Sequence, residues 1–224
     1  MTLMQTSRTH RRLPEPSGSR TLLAALAIVA AATLLAAASA PASGTARARV
    51  TVIGDSIMAS FDYVPAARRS LGKGLDLRSD TAVCRRLIAA SCPFQGATPA
   101  TALEIIGSQG PGLGPVVVMN VGYNDWVAVY DVDRVMKALD AAGVRRVIWV
   151  TLREATSYAS LYAQSNARIR KADRRWKSLA VADWNAFSRG KPWFRGDGLH
   201  LTPSGAMGLA RLLRPLVLAG TSYS

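Results

Sequence analysis

Residues 115–121 read Pro-Val-Val-Val-Met-Asn-Val, an almost unbroken apolar run. A strand with no polar face has to be buried on both sides, so it belongs in the middle of a sheet whose two faces are covered. Shorter apolar runs recur around it at Val50 to Ile53, Leu75 to Arg78, Val144 to Leu152 and Leu179 to Asp183, several of them bounded by glycine. They read as four more strands.

The intervening segments carry helical signals. Asp131 to Ala142 places Val132, Val135, Met136 and Leu139 at helix spacing, with Asp131 and Asp133 in the first turn and Gly143 behind the last. Helices are also expected over Ser56 to Leu71, interrupted or bent near Pro65, around Val83 to Ala89, and over Pro99 to Gly107 and Ser157 to Trp176. A terminal helix is expected over Thr202 to Leu218, where Thr202 is a fitting cap and Pro203 sits in the first turn. Strands alternating with helices give an α/β fold: a three-layer α/β/α sandwich around a flavodoxin-like central sheet of five parallel strands. Ligands of such sheets bind beyond the carboxyl ends of the strands.

The first 43 residues read as an export signal ahead of one domain over 44–224. Arg8, Arg11, Arg12 and Arg20 precede an Ala/Leu-rich run from Thr21 to Ala38, and the small residues behind it place the expected cut near Ala42. The alternative is an uncleaved membrane anchor, because an apolar run of about 18 residues is at the lower edge of what spans a bilayer. An exported chain enters an oxidising compartment, where Cys84 and Cys92, the only cysteines, can close a disulfide. So short a loop would stabilise the fold by about 2 to 3 kcal/mol.

The chain carries 28 Lys and Arg against 14 Asp and Glu, a net charge of +14. A field of that sign favours anionic polymers or lipid headgroups at a cell surface. No aromatic-interleaved or helix-turn-helix pattern accompanies the charge, so a nucleic-acid partner is not expected. The expected state is a monomer.

Acyl transfer by a serine requires a hydroxyl at a strand-to-helix turn, a neutral imidazole to take its proton and a carboxylate to hold that imidazole. It also requires donors aimed at the developing oxyanion. His10 lies in the segment expected to be removed, which leaves His200 as the one histidine of the domain. A zinc site built on two or three imidazoles is thereby excluded, and neither metal nor cofactor is expected. A base working near neutral pH must be His200 or a perturbed carboxylate. Asp197 stands three residues before it, in a loop that Gly196 and Gly198 allow to bend tightly. Each piece alone is weak: Gly-Asp-Ser is a common turn, Asp-X-X-His is more often a solvated loop, and Gly-Tyr-Asn-Asp is good turn chemistry.

Taken together, Val52-Ile53-Gly54-Asp55-Ser56, Gly122-Tyr123-Asn124-Asp125 and Asp197-Gly198-Leu199-His200-Leu201 resemble three blocks of the SGNH (GDSL-type) hydrolase superfamily, and they span nearly the whole domain. The resemblance implies Ser56 as nucleophile, His200 as its base and Asp197 as the third triad member. It implies oxyanion donors from the Ser56 N–H, the Asn124 side chain and one glycine, for which Gly96 is the choice, with Gly107 and Gly110 as runners-up. Asp125 is expected to hold its loop or a neighbouring strand instead of doing chemistry. Tyr123, Trp126, Arg153 and Glu154 are candidate substrate contacts, as is Tyr158, and Arg168 to Lys177 reads as the solvated face of a helix.

The expected protein is a secreted serine esterase acting on small-molecule or glycan esters of short acyl or acetyl groups through an acyl-enzyme. The alternatives are an O-acyltransferase with the same triad and a cell-envelope acceptor, and a non-catalytic glycan-binding module of the same fold.

Overall fold

A computed structural model describes residues 47–222; the export segment expected over 1–43 lies outside the described residues. Five strands form one sheet: β1 (Arg49–Gly54), β2 (Asp76–Thr81), β3 (Val116–Asn120), β4 (Arg146–Val150) and β5 (Leu179–Ala182). Their order is β2-β1-β3-β4-β5 and every neighbouring pair is parallel. Helices α1 (Ser60–Tyr63), α2 (Pro65–Gly72), α3 (Ala102–Gln109), α4 (Val132–Ala141), α5 (Ala159–Asp173), α6 (Trp184–Phe187) and α7 (Pro203–Thr221) complete the flavodoxin-like arrangement. The five-stranded parallel sheet between two helical layers is as the apolar runs predict.

Alternation along the strands sorts side chains between two cores. On one face Val50, Val52, Val116, Val118, Ile148 and Val150 meet Phe61 of α1, Leu71 of α2 and Leu209, Leu213 and Val217 of α7. On the other Ile53, Val117, Met119, Val147 and Trp149 meet Ile106 of α3, Val135, Met136 and Leu139 of α4, and Ile169 of α5. All five residues of β3 are buried, which explains why that run carries no polar alternation. Each of these aliphatic side chains contributes about 1.5–3 kcal/mol by leaving water.

Local chemistry sets the element ends. Asp131 caps α4 by accepting the Arg134 N–H at 3.0 Å, and Thr202 caps α7 by accepting the Gly205 N–H at 3.2 Å. A capping box of Thr101 and Glu104 starts α3. The helix expected over 56–71 is divided: Val64 separates α1 from α2, and Pro65 opens α2, where its missing N–H does no harm. Strand β2 runs on to Thr81, beyond the expected Arg78.

The helix expected over Val83 to Ala89 is absent; turns and bends occupy the segment. Cys84 has φ 68°, in the left-handed region, and is disulfide-bonded to Cys92. A residue held there ends a right-handed helix before it begins. Among the described residues, no helix is long and apolar enough to cross a membrane.

Strand β1 has β2 on one side and β3 on the other. The connection leaving β1 runs to one edge of the sheet and that leaving β3 to the other, so a crevice opens at the carboxyl ends of β1 and β3.

Candidate active site

The turn after β1 is built around Asp55, whose role the sequence does not announce. Its buried carboxylate accepts the Ile57 N–H at 3.1 Å through one oxygen. The other oxygen accepts the N–H groups of Gly122 and Tyr123, each at 3.2 Å. Asp55 thus ties the Ser56 turn to the loop that carries Asn124. Burial pushes its carboxyl up to about 7, against the downward pull of those three amides. Gly54 is required by crowding, since a β-carbon there would lie 2.2 Å from Cβ of Met58.

His200 approaches Ser56 from the far end of the chain, across 144 residues, with Nε2 3.1 Å from the serine Oγ. Its Nδ1 lies 2.5 Å from Oδ2 of Asp197. Oδ1 of Asp197 accepts the backbone N–H groups of Leu199 at 2.9 Å and His200 at 3.0 Å, so the aspartate shapes its own loop. Desolvation opposes its charge, but those amides and the imidazole outweigh it and hold Asp197 at about 2. An ionised carboxylate on Nδ1 fixes the tautomer that leaves Nε2 free to accept the serine proton. The side chains of His200 and Asp197 remain 41% and 48% exposed, so water reaches the pair directly.

Arg153 supports this loop. Its Nη1 donates to the Gly198 carbonyl, and its guanidinium lies over the Phe194 ring, 3.8 Å from the centroid. Its N–H donates to the Tyr123 hydroxyl at 2.7 Å. Arg153 and Tyr123, read from the sequence as substrate contacts, are therefore engaged with the protein itself. Glu154 accepts from Asn166 Nδ2 at 2.8 Å and is held in the same way. Trp126 is different: its ring is 61% exposed, with the Arg86 guanidinium 4.3 Å from its centroid. Tyr158 is also exposed, tilted against Tyr162.

Asn124 Nδ2 donates to the Arg85 carbonyl at 3.3 Å, which leaves its second amide hydrogen for a ligand. Asp125 is buried and accepts the Leu87 N–H at 3.0 Å, which ties its loop to the one after β2, and burial raises it to about 6. Gly96 takes no part in these contacts. It lies at the tip of an exposed turn, φ 80°, closed by paired backbone bonds between Phe94 and Ala97. Gly107 is inside α3, and Gly110 ends it. The residues after β2 that bond to the Asn124 loop are Arg85, Arg86 and Leu87. Among the described residues, no group of three or more His, Cys, Asp or Glu is placed to hold a metal ion.

No protein-family model matches the chain, and no curated protein matches it by sequence. Solved structures do match in fold. The C-terminal catalytic domain of Streptococcus pneumoniae peptidoglycan O-acetyltransferase A, solved with a methylsulfonyl adduct, aligns at TM-score 0.57 and 18% identity, over 79% of this chain and 96% of that one. A carbohydrate acetylesterase family member from Sinorhizobium meliloti aligns at 0.57 and 15% identity, over 77% and 98%. TesA aligns at 0.54 and 16% identity, over 77% and 99%. The fold of residues 47–222 is the fold of these proteins.

Proposed function

We propose that the chain is a serine ester hydrolase of the SGNH superfamily, exported from the cell, with Ser56, His200 and Asp197 as its triad. One observation carries the reading: a serine hydroxyl, an imidazole and a carboxylate from opposite ends of the chain stand in line at 3.1 Å and 2.5 Å beyond the carboxyl ends of the strands. Hydrogen-bonded contact in that order is what a nucleophile, its base and the base's orienter require.

In the proposed reaction Ser56 Oγ attacks an ester carbonyl as Nε2 of His200 takes its proton. The ester C–O bond breaks, and the imidazolium returns the proton to the departing alcohol. Asn124 Nδ2–H and the Ser56 N–H stabilise the tetrahedral anion. A water, deprotonated by the same imidazole, then releases the acid from Ser56. The exposure of His200 and Asp197 supports water as the final acceptor and suits a short acyl group. Acyl transfer to a sugar hydroxyl would use the same groups, and product analysis with added glycan acceptor separates the two.

The test is hydrolysis of p-nitrophenyl acetate by wild type and Ser56→Ala. Wild type is expected to turn over, and the variant to lose at least about a thousandfold in kcat. A folded Ser56→Ala protein of undiminished activity would refute the assignment.

A further inference from the structure

Among the described residues Cys84, Gln95 and Thr156 are the non-glycine residues with positive φ, and Cys84 is the one that is cross-linked to a second segment. Cys84, at φ 68°, occupies the left-handed region that a β-carbon disfavours. It is disulfide-bonded to Cys92, whose N–H donates to the Cys84 carbonyl at 3.3 Å, and the Arg85 N–H closes the same turn on the Ala82 carbonyl at 3.3 Å. The next residue, Arg85, is 3% exposed and anchors the turn from below: its guanidinium bonds the Asp80 carboxylate at 2.7 Å and the carbonyls of Asp80 at 2.6 Å and Ala100 at 3.0 Å.

This turn stands beside the nucleophile. Strand β2 pairs with β1 as far as Thr81 opposite Gly54, and the Ala82 N–H donates to the Gly54 carbonyl at 3.1 Å. Cys84 therefore follows within three residues of the strand end that flanks the Ser56 turn. From the other flank Asn124 crosses to meet it, donating to the Arg85 carbonyl at 3.3 Å, while Arg86 Nε donates back to the Asn124 carbonyl at 2.8 Å. The loops after β2 and β3 are thus joined across the end of β1. Among the described residues, the Cys84 N–H donates to nothing.

We propose, resting on the esterase reading, that the Cys84–Cys92 disulfide is a positioning element of the active site. It holds Cys84 in the left-handed turn, so that the Arg85 carbonyl orients the Asn124 amide and the Cys84 N–H supplies the oxyanion donor expected of Gly96. Turnover then depends on the cross-link through the backbone conformation it enforces, beyond any contribution to stability.

Three proteins separate these effects: oxidised wild type, Cys84→Ser/Cys92→Ser and Cys84→Gly/Cys92→Ser, with Ser56→Ala beside them. Both double variants lose the cross-link, but glycine adopts a positive φ freely and serine does not. On p-nitrophenyl acetate the serine pair is expected to lose at least about tenfold in kcat, short of the hundred- to thousandfold for removal of a whole donor, with KM within about twofold. The glycine variant is expected to recover most of that kcat while its thermal midpoint stays below that of the oxidised wild type. Equal kcat in all three, or a glycine variant no faster than the serine pair at equal folded fraction, would overturn the proposal.

Should the serine pair fail to fold, folded wild type is reduced with dithiothreitol. Two electrons and two protons pass to the S–S bond, giving two thiols as the reagent closes to its own cyclic disulfide. A fall in kcat reversed on reoxidation is expected; a reduced enzyme of undiminished turnover overturns the proposal. Full activity in Ser56→Ala would remove the esterase reading itself, whatever the disulfide series gives.

Discussion

The carboxylate of Asp55 accepts the backbone N–H of Tyr123 at 3.2 Å, across 68 residues of chain. With the bonds to Gly122 and Ile57, this places one buried side chain between the turn that holds Ser56 and the loop that holds Asn124. Asp55→Asn keeps the shape but turns an amide NH₂ toward backbone N–H groups. An unsatisfied buried donor costs about 1–3 kcal/mol. Thermal unfolding should show a loss of that size, and kcat on p-nitrophenyl acetate should fall by about tenfold or more as the two loops separate. A variant with wild-type kcat would show that the strut is dispensable.

The same burial gives an unusual pH dependence. Burial raises Asp55 to about 7 and Asp125 to about 6, each from an ordinary 3.8. Between those limits the folded protein holds protons that the unfolded chain releases, so this stability is complete below pH about 4 and is lost as pH rises toward about 7. Asp197, held at about 2, works in the opposite sense and weakens the fold only as pH falls below about 4. The thermal midpoint is expected to be higher at pH 4.5 than at 7.5, and Asp125→Asn should narrow the difference. A midpoint that rises across this range would contradict the assignment.

Arg153 presents a planar group that lies on Phe194 and donates to the Gly198 carbonyl, two residues before His200. Lysine cannot reproduce the stack and the fork together. Arg153→Lys and Arg153→Ala should both lower kcat, by about ten- to a hundredfold, with KM little changed. A rise in KM alone would mark Arg153 as a substrate contact instead.

Trp126 is the opposite case. Its side chain is exposed and stacks with the Arg86 guanidinium, so Trp126→Ala should leave stability within about 0.5 kcal/mol. If the ring meets the part of the substrate that leads away from the ester, the variant should raise KM for an acetylated oligosaccharide and leave p-nitrophenyl acetate unaffected. Parallel loss on both substrates would place its role in the chemistry.

Convergence of residues 56, 197 and 200 is legible in the sequence through the blocks that resemble the SGNH hydrolases, and Ser56 stands directly behind the plain apolar run of β1. The single histidine narrows the base further. The loop between β2 and α3 is illegible for an equally physical reason. Its course depends on a left-handed Cys84, a cross-link and a buried Arg85, none of which leaves a periodicity, so Val83 to Ala89 reads as a helix and Gly96 is given a role that its exposed turn does not support. Arg153 and Tyr123 are hard to read in another way. A polar residue at a strand end looks the same in sequence whether it faces a ligand or a neighbouring loop, and here Arg153 bonds to the Gly198 carbonyl and the Tyr123 hydroxyl. Asp55 hides inside a common Gly-Asp-Ser turn, where only its three amide partners distinguish it.

Labelling with a fluorophosphonate probe, followed by peptide mapping, addresses the nucleophile most directly. The account predicts one adduct, on Ser56, formed at a rate that drops sharply in His200→Ala while the protein stays folded. An unlabelled folded protein, or an adduct on another serine with Ser56 untouched, would contradict it.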